Sequence, residues 1–437
     1  MEQDTIYALA SGAGRAGVAV VRVSGSRAGS TLEALTGAPL PEPRRAVLAL
    51  LRDSGGSPID EGLVLFFASP NSYTGEDIAE FHVHGGRAII EALFVEFGKR
   101  GLRPAESGEF TRRAVEHGKF DLTRAEAVAD LVEAETEAQR HQALRQYGGE
   151  LWNLCEGWRS RLLQALAWAE AAIDFSDDEL PADVLDEARS IAAKVSGEVQ
   201  GHLDDGHRGE RVREGLFLAV IGPPNAGKSS LLNALAKRDL AIVAATPGTT
   251  RDVIEVRLDL GGFPVTVADT AGLRASQDAV EAEGVRRALE RARSADLVLL
   301  LRDGSVSADE MPLPDDVRPD LVVWNKTDLP WQKEHDGIAL SLRTGEGLEQ
   351  LLEVLGNMVG DKLALASEAP VLTRRRHRDA LKQAVGPLID ALSAPQDRPE
   401  ILAEDLRLAL RAIGRVTGRV HLEELLDIVF RDFCIGK

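Results

Sequence analysis

Residues 222–229 read Gly-Pro-Pro-Asn-Ala-Gly-Lys-Ser, and this G-x-x-x-x-G-K-[ST] pattern constrains the fold more than any other stretch of the chain. The apolar run 216–221 before it predicts a buried parallel strand, and residues 230–235 after it predict a helix. A glycine loop between strand and helix directs backbone N–H groups and the helix N-terminus at phosphate. Lys228 is then placed to reach the β and γ phosphates, and Ser229 to ligate Mg²⁺. The pattern predicts a doubly wound α/β domain that binds a nucleotide.

Three later loops, in the expected order, indicate which base the nucleotide carries. Asp-Thr-Ala-Gly at 269–272 ends one apolar run, and Asn-Lys-Thr-Asp at 325–328 ends the next. Ser-Leu-Arg at 341–343 follows a further predicted strand. A carboxylate at Asp328 can accept from both N1–H and the 2-amino group of guanine, a donor pair that adenine lacks. The sequence therefore predicts GTP rather than ATP.

The rest of the chain predicts a multidomain protein of class α/β plus α. Its 437 residues suggest about three domains, and 44% of them are hydrophobic, enough for sizeable cores. Residues 1–118 mix strand and helix patterns and predict an α+β domain. Helical periodicity at 119–212 and 362–437 flanks the nucleotide domain at 213–361, which predicts a discontinuous helical domain with an inserted nucleotide domain.

Two features of the helical segments refine this prediction. Thr-Arg-Ala-Glu at 123–126 matches a capping box, so we expect a helix from 123 to Tyr147, where two glycines end it. Trp152, Trp158 and Trp168 lie in a stretch of helical periodicity, and core packing is favoured for them over a platform for stacking bases.

The net charge and the cysteine content restrict the class of protein and its cellular compartment. The formal net charge of −19 argues against a protein that coats nucleic acid by bulk electrostatics. The two cysteines cannot form a disulfide framework, and the first residues lack the basic start of a signal peptide. No apolar run approaches the length of a membrane span. We expect a cytoplasmic protein.

Two local patterns leave alternatives open. Residues 374–378 (Arg-Arg-Arg-His-Arg) and arginines at four-residue steps from Arg407 to Arg419 form a strongly basic surface. This surface could hold RNA phosphates, or it could be a solvated helix face paired with neighbouring carboxylates. His82 and His84 share one face of a predicted strand, but without a third ligand at plausible spacing we favour ordinary strand or pocket residues over a metal site.

The loop between 244 and 252 lacks apolar periodicity, and it is the natural source of a further Mg²⁺ ligand. Thr250 is the candidate, since a threonine here commonly completes the metal shell. Leu273 follows the loop at 269–272, where small signalling GTPases place a glutamine that orients water. Leucine cannot do so, and we expect another residue and another positive charge to assist hydrolysis.

The motifs together resemble one family over essentially the whole chain. The five nucleotide loops, Gly-Thr-Thr-Arg-Asp at 248–252, Tyr-Thr-Gly-Glu-Asp at 73–77, His-Gly-Gly at 84–86 and the final Cys-Ile-Gly-Lys at 434–437 resemble the MnmE (TrmE) tRNA-modification GTPases. The resemblance implies an N-terminal folate-binding and dimerisation domain, a discontinuous helical domain and an inserted Ras-like P-loop G domain.

The resemblance also implies an activity with cofactors and partners. With the FAD-dependent partner MnmG (GidA), such a homodimer adds an aminomethyl or carboxymethylaminomethyl group to C5 of the wobble uridine of certain tRNAs, using a methylene-tetrahydrofolate carbon. Mg²⁺ assists GTP hydrolysis, and K⁺ stands in for an arginine finger.

Matched by position, the resemblance implies these roles for single residues. Glu281 is the catalytic carboxylate that orients water, acting with Lys228 and Thr250. The Mg²⁺ ligands are Ser229 and Thr250, and the K⁺ ligands are Asn225, Ala244, Thr246 and Thr249. The folate contacts are Arg22, Glu80, Lys119 and Lys437, with Cys434 nearby and given no catalytic role. The GTP contacts are Asn225, Ala226, Gly227, Lys228, Ser229, Ser230, Ala244, Ala245, Thr246, Pro247, Gly248, Thr249, Thr250, Asp269, Thr270, Ala271, Gly272, Asn325, Lys326, Asp328, Ser341, Leu342 and Arg343.

One departure and one alternative accompany these expectations. The chain has Ala-Thr-Pro before Gly248 where many members have Asp-Ile-Ala, and Pro247 restricts Thr246 and so bears on the K⁺ site. The alternative function is a regulatory or ribosome-assembly GTPase, because the nucleotide loops serve both classes equally. The N-terminal domain and the Cys-Ile-Gly-Lys end favour tRNA modification.

Overall fold

The computed structural model describes residues 4–174, 183–238, 240–242, 255–269, 290–306, 316–330, 336–364 and 371–420, together with 426, 429, 430 and 436. The chain divides into two compact units, the first comprising 1–129, 147–192 and 387–437, and the second 130–146 and 193–386. Among the described helices, none combines the length and the apolar character that a bilayer crossing requires.

The first unit contains a six-stranded sheet. Its strands are β1 (Ile6–Leu9), β2 (Ala16–Ser24), β3 (Val47–Arg52), β4 (Pro58–Phe67), β5 (Ile78–Gly85) and β6 (Arg103–Pro104). They lie in the order β3-β4-β5-β2-β1-β6, and only the β1–β6 pair is parallel among those described. Alternate residues such as Val21, Val23, Phe81 and Val83 are buried on one face, as the period of two along a strand requires.

Helices α1 (Ala28–Thr36) and α2 (Arg87–Lys99) supply the apolar side chains that cover this face. Leu32 and Leu35 from α1 and Leu93 and Phe97 from α2 are almost completely buried there. The result is the α+β domain that the mixed pattern of residues 1–118 predicts. Helix α3 (Glu109–Glu116) follows the sheet.

The expected single helix from 123 to 147 is wrong, because the structure has two helices, α4 (Leu122–Glu133) and α5 (Glu137–Tyr147). Oδ1 of Asp121 accepts from the N–H groups of Thr123 at 2.9 Å and Arg124 at 3.2 Å, so Asp121 and not Thr123 caps α4. Oε1 of Gln139 accepts from the N–H groups of residues 135 and 136 at 3.0 and 3.1 Å. These bonds satisfy backbone donors ahead of a new helix and favour the break.

The remaining described helices are α6 (Glu150–Asp174), α7 (Val184–Leu203), α8 (Arg208–Glu214), α9 (Lys228–Ala236), α10 (Leu348–Ala364), α11 (Arg375–Ser393) and α12 (Pro399–Thr417). In the first unit α6 packs along α12 through a seam of residues at spacings of three and four, centred on Trp158. Trp158 is fully buried and is a core residue, as predicted, whereas Trp152 and Trp168 are only half-buried.

The second unit contains a seven-stranded sheet. Its strands are β7 (Leu216–Ile221), β8 (Ala241–Ile242), β9 (Glu255–Leu260), β10 (Phe263–Asp269), β11 (Leu297–Asp303), β12 (Leu321–Asn325) and β13 (Ile338–Ala339). The order is β13-β12-β11-β7-β10-β9-β8, with the first five strands of this order parallel and β9 and β8 added antiparallel. Both faces are buried, since Leu218 and Val220 of β7 belong to one apolar cluster, and Ala219 and Ile221 to another. The doubly wound nucleotide-domain fold is confirmed.

Candidate nucleotide-binding site

The loops predicted to bind nucleotide begin at one edge of the seven-stranded sheet. Ile221 at the end of β7 pairs with Leu300 of β11, and Asp303 at the end of β11 pairs with Asn325 at the end of β12. The last residue of β10, Asp269, pairs with Val220 of β7. Because these strands are parallel, their carboxyl ends lie side by side, which is where open α/β sheets bind ligands.

The two glycines of the phosphate-loop motif are required by close packing. A Cβ at Gly222 would lie 2.0 Å from the carbonyl oxygen of Leu301, and a Cβ at Gly227 would lie 2.4 Å from Nδ2 of Asn325. Gly227, with φ of 103°, precedes the first residue of α9, and Asn225 has a φ of 60°. The left-handed residues turn the chain sharply into the helix N-terminus, the arrangement that cradles phosphate.

Lys228, the first residue of α9, lies back along the loop. Its Nζ donates to the carbonyl oxygens of Gly222 at 2.8 Å and Pro223 at 2.9 Å, and only 9% of the residue is exposed. The buried ammonium is therefore hydrogen-bonded within the turn, as a buried charge must be. Ser229 and Ser230 are exposed in the first turn of α9, where a hydroxyl can reach a cation beside bound phosphate.

Asn325 connects the phosphate loop to the loop at 341–343. Its Nδ2 donates to the carbonyl oxygen of Ala226 at 2.8 Å, and its Oδ1 accepts from the N–H of Leu342 at 3.2 Å. The residue is 3% exposed, so both ends of a buried amide have a partner. Leu342 packs against the apolar core of the unit. One side chain thus joins two of the predicted GTP loops.

The carboxylate of Asp328 is held by the same loop at 341–343. Oγ of Ser341 donates to Oδ1 of Asp328 at 2.8 Å, and Nε of Arg343 lies 3.0 Å from Oδ2. The N–H of Thr344 donates to Oγ of Ser341 at 3.2 Å and orients the hydroxyl. These contacts fix the rotamer of Asp328. The structure therefore brings together Asn325, Asp328, Ser341, Leu342 and Arg343.

Asp303 belongs to the same group of loops, although the sequence analysis did not single it out. Its Oδ2 lies 2.5 Å from Nζ of Lys326, and its Oδ1 accepts from Ser305. The signal was present, because Asp303 ends the apolar strand β11 much as Asp269 ends β10. However, the end of β11 is not part of any of the nucleotide-loop motifs recognised in the sequence.

Several predicted residues lie outside the described part of the chain. The structure gives the backbone of Asp269 in β10 and nothing of its side chain. The residues for which it describes nothing are Ala244, Ala245, Thr246, Pro247, Gly248, Thr249, Thr250, Thr270, Ala271, Gly272, Leu273, Glu281, Cys434 and Lys437.

Two of the predicted folate contacts meet in the first unit. Arg22 of β2 and Glu80 of β5 are register partners, and Nε and Nη2 of Arg22 each lie 2.9 Å from Oε1 of Glu80. The guanidinium carbon of Arg22 lies 5.2 Å from the ring centroid of Tyr73 and 5.6 Å from that of Phe110. The arginine is thus held by one carboxylate and two aromatic rings.

Lys119 and Gly436 lie near the Arg22 region, and each is held there by its own contact. Nζ of Lys119 donates to the carbonyl oxygen of Pro70 at 2.8 Å, and the neighbouring Phe120 ring lies 5.3 Å from that of Tyr73. A Cβ on Gly436 would lie 2.2 Å from the carbonyl oxygen of Leu9, at the end of β1. Gly436 therefore lies against β1, the strand next to β2, which carries Arg22.

The two histidines and the arginines for which the sequence left two interpretations have carboxylate partners in the structure. Nε2 of His82 lies 3.3 Å from Oε2 of Glu80, and Nδ1 of His84 lies 2.9 Å from Oδ1 of Asp60. Within the described ranges no group of three or more His, Cys, Asp or Glu side chains is placed to hold a metal ion.

The basic surface is largely neutralised, since carboxylates pair with Arg374, Arg375, Arg378, Arg407 and Arg419. For these arginines the paired-face interpretation is favoured over RNA binding.

Comparisons with known proteins cover the full chain. Residues 122–434 match the family model described as MnmE helical domain, and residues 5–119 match the one described as GTP-binding protein TrmE N-terminus. A protein of Paramagnetospirillum magneticum named tRNA modification GTPase MnmE is 54% identical over 444 residues, which is 99% of this chain and 100% of the relative. A protein of Parvibaculum lavamentivorans with the same name is 52% identical over 443 residues, with 99% and 100% covered.

Among solved structures, the G domain of the T. maritima FeoB iron transporter is similar to part of the chain. The two are 24% identical, and the alignment covers 32% of this chain and 98% of that one with a TM-score of 0.23. A TM-score this low adds nothing to the assignment.

Proposed function

The chain belongs to the MnmE family of tRNA modification GTPases and is an enzyme that couples GTP hydrolysis to tRNA modification; we propose that it adds an aminomethyl or carboxymethylaminomethyl group to C5 of the wobble uridine. The observation that carries the proposal is the set of loops at one sheet edge, in which Lys228 lies in the phosphate loop and Asn325 joins that loop to the one holding Asp328. Phosphate recognition and guanine recognition then share one surface.

Mg²⁺ and K⁺ are the cations we propose for the phosphate end. Ser229 fits the Mg²⁺ site because its side chain is exposed in the first turn of α9, beside Lys228, and Thr250 is its proposed partner. Asn225, exposed and left-handed in the phosphate loop, is proposed to face K⁺ together with Ala244, Thr246 and Thr249. The cations supply positive charge to the phosphates. Glu281 is proposed to orient the attacking water, which Leu273 cannot do.

A reduced folate is the proposed one-carbon donor, bound near Arg22. The Arg22–Glu80 pair, the rings of Tyr73 and Phe110, and the proximity of Gly436 to β1 support it. Arginine and lysine suit the glutamate carboxylates of folate, and a carboxylate suits the donor edge of its pterin. Lys119 and Lys437 are the further proposed contacts.

A homodimer and an FAD-dependent MnmG partner complete the proposal. The β3–β4 pair lies at the edge of the first sheet and exposes Leu48 by 62% and Leu63 by 44%, opposite each other in register. Exposed apolar pairs at a sheet edge favour association with another chain, and we propose a second copy of this one. The domain boundaries at 118, 212 and 361 and a cytoplasmic location are also part of the proposal.

The decisive experiment measures the wobble nucleoside by mass spectrometry in tRNA from cells lacking this protein. Loss of the C5 modification, restored by the wild-type gene but not by Asp328→Asn, is the expected result. Purified Asp328→Asn should lose affinity for GTP and gain it for xanthosine triphosphate, because the amide no longer matches guanine. Hydrolysis should be faster in K⁺ than in Na⁺ at equal ionic strength.

The alternative is a regulatory or ribosome-assembly GTPase that needs no folate. It would leave the wobble nucleoside unchanged in the deletion strain while GTP hydrolysis by the purified protein persisted. The partly buried Arg22–Glu80 pair of the first unit favours the modification enzyme, because a switch has no use for a folate pocket.

A further inference from the structure

The Asp303 carboxylate has different partners on its two oxygens. Oδ1 accepts from the N–H of Ser305 at 3.0 Å and from Oγ of Ser305 at 2.6 Å, while Oδ2 lies 2.5 Å from Nζ of Lys326. The carboxylate is 13% exposed and the lysine side chain 33% exposed. Ser305 therefore fixes the rotamer of Asp303, and the second oxygen is left aimed at the lysine.

The backbone around this pair is also fixed. The N–H of Gly304 donates to the carbonyl oxygen of Asn325 at 2.8 Å, which extends the β11–β12 pairing one residue past the strand ends. Lys326 has a φ of 67°, a left-handed conformation that a lysine adopts only when its surroundings impose it. The N–H of Thr327 donates to the carbonyl oxygen of Leu340 at 3.2 Å. Both ends of the lysine side chain are thus positioned, one by the backbone and one by Asp303.

The ion pair is expected to persist at neutral pH. Burial acts to raise the pKa of Asp303, but hydrogen bonds from Lys326 and Ser305 outweigh it, and the pKa lies below its usual value of 3.8. Asp303 therefore carries its negative charge at neutral pH. The pair lies beside the residue proposed to read the base, since Lys326 is two positions before Asp328.

We propose that Asp303 is a positioning residue for guanine-nucleotide binding, which acts by fixing the side chain of Lys326 within the base-recognition loop. The inference rests on the proposed GTP site and adds a residue from a strand end outside the recognised loops. Without the carboxylate, the four-carbon stem of Lys326 regains its rotamers, and binding a nucleotide has to order it again. Loss of the Asp303 carboxylate leaves the contacts of Lys228 within the phosphate loop unchanged.

The test is a double-mutant cycle on purified full-length protein with fluorescent GDP. Asp303→Asn keeps the shape and the Ser305 bond and removes the charge, and we expect the dissociation constant for GDP to rise about 10-fold. In GTP hydrolysis KM should rise similarly and kcat change less than about twofold, because Lys228 and Ser229 are untouched. Lys326→Met weakens binding on its own, and adding Asp303→Asn to it should produce no further loss.

Asp316→Asn is the matched control, since Asp316 makes an exposed ion pair with Arg293 at 2.7 Å in the same unit. It should leave GDP affinity unchanged. Thermal unfolding of each variant separates lost folding from lost positioning. Unchanged GDP affinity in Asp303→Asn, or losses that add in the double variant, would overturn the proposal. Failure of the wild-type protein to bind GDP would instead remove the proposed nucleotide site.

Discussion

Gln146 of α5 donates from Nε2 to the backbone carbonyl oxygen of Val371 at 2.7 Å. One turn earlier, Gln142 makes the same kind of bond to the carbonyl oxygen of Gly209 in α8 at 3.0 Å. Residues four apart lie on one face of a helix, so this face of α5 ties together two stretches of chain that are far apart in sequence. Both glutamines are buried, and each side-chain amide donates a hydrogen bond to a backbone carbonyl oxygen.

These glutamines should contribute measurably to stability. We expect Gln142→Leu and Gln146→Leu each to lower the free energy of unfolding by about 1–3 kcal/mol, because each leaves a buried carbonyl oxygen without its donor. Urea unfolding measures the change. Gln200→Leu is the control, since Gln200 is exposed and its amide donates only to Asp204 among the contacts described. Equal effects at all three positions would contradict the role of the buried amides.

Arg378 should be one of the most sensitive charged positions in the second unit. Its side chain is 2% exposed, contacts the carboxylate of Asp205 and donates to the carbonyl oxygen of Leu203 at 2.7 Å. Arg378→Met should lower the free energy of unfolding by about 3–5 kcal/mol, because it leaves a buried carboxylate without its cation. Arg375→Met, at an exposed arginine three residues earlier, should change stability little.

Gly227→Ala should impair nucleotide binding more than folding. The added Cβ would lie 2.4 Å from Nδ2 of Asn325, at a φ of 103° that disfavours alanine. The strain displaces the amide that joins two of the proposed GTP loops, and we expect GDP affinity to fall about 10-fold or more. Isothermal titration calorimetry measures it. Gly360→Ala in α10, where nothing lies within 4 Å, should bind GDP like the wild-type protein.

The first unit should lose stability in acid partly through Glu109. Burial acts to raise its pKa, but bonds from Arg103, the N–H of Glu106 and Arg113 lower it from 4.5 to about 2. A carboxylate with a depressed folded-state pKa stabilises the protein above pH 4.5, and this contribution is lost as the pH falls toward 2. Glu109→Gln should therefore flatten the fall in unfolding free energy between pH 5 and pH 3. Glu91→Gln, at an exposed residue of the same unit, is the control for the substitution itself.

Arg22 should affect the binding of a reduced folate. Arg22→Met keeps an apolar stem between the rings of Tyr73 and Phe110 but removes the charge, and we expect the dissociation constant for 5-formyltetrahydrofolate to rise about 10-fold or more. Fluorescence titration measures it. Arg87→Met, at an exposed arginine that contacts Glu91, is the control. Identical affinities in both variants would exclude Arg22 from the folate site.

The nucleotide loops were predictable because their signals are local. Gly222 and Gly227 stand at fixed spacing from Lys228, and the apolar run before them has the length of one strand. The placement of Asp328 and Ser341 followed from the same rule, since each lies just beyond a predicted strand. In the structure these two side chains form a hydrogen bond.

Two of the missed features depend on which elements are neighbours in the fold, and the third, the residue that caps α4, depends on which side chain reaches the backbone N–H groups. Asp303 meets Lys326 because β11 and β12 are neighbours in the sheet, and the lateral order of strands is a property of the whole fold. Asp121 caps α4 in place of Thr123 because its carboxylate reaches two N–H groups. Arg374 and Arg407 looked like a basic surface, but the acids that neutralise them lie more than two hundred positions away.

The amide of Asn325 contacts both the phosphate loop and the loop at 341–343, so we expect base recognition and phosphate recognition to be inseparable at that position. A change of this side chain alters the carbonyl of Ala226 and the N–H of Leu342 together. Any variant at 325 should weaken guanosine and pyrophosphate as competitors in parallel, whereas variants at Asp328 should discriminate between them. Variants at position 325 thus show whether the whole pocket is intact. They cannot be used to divide the binding affinity between the base and the phosphates of the nucleotide.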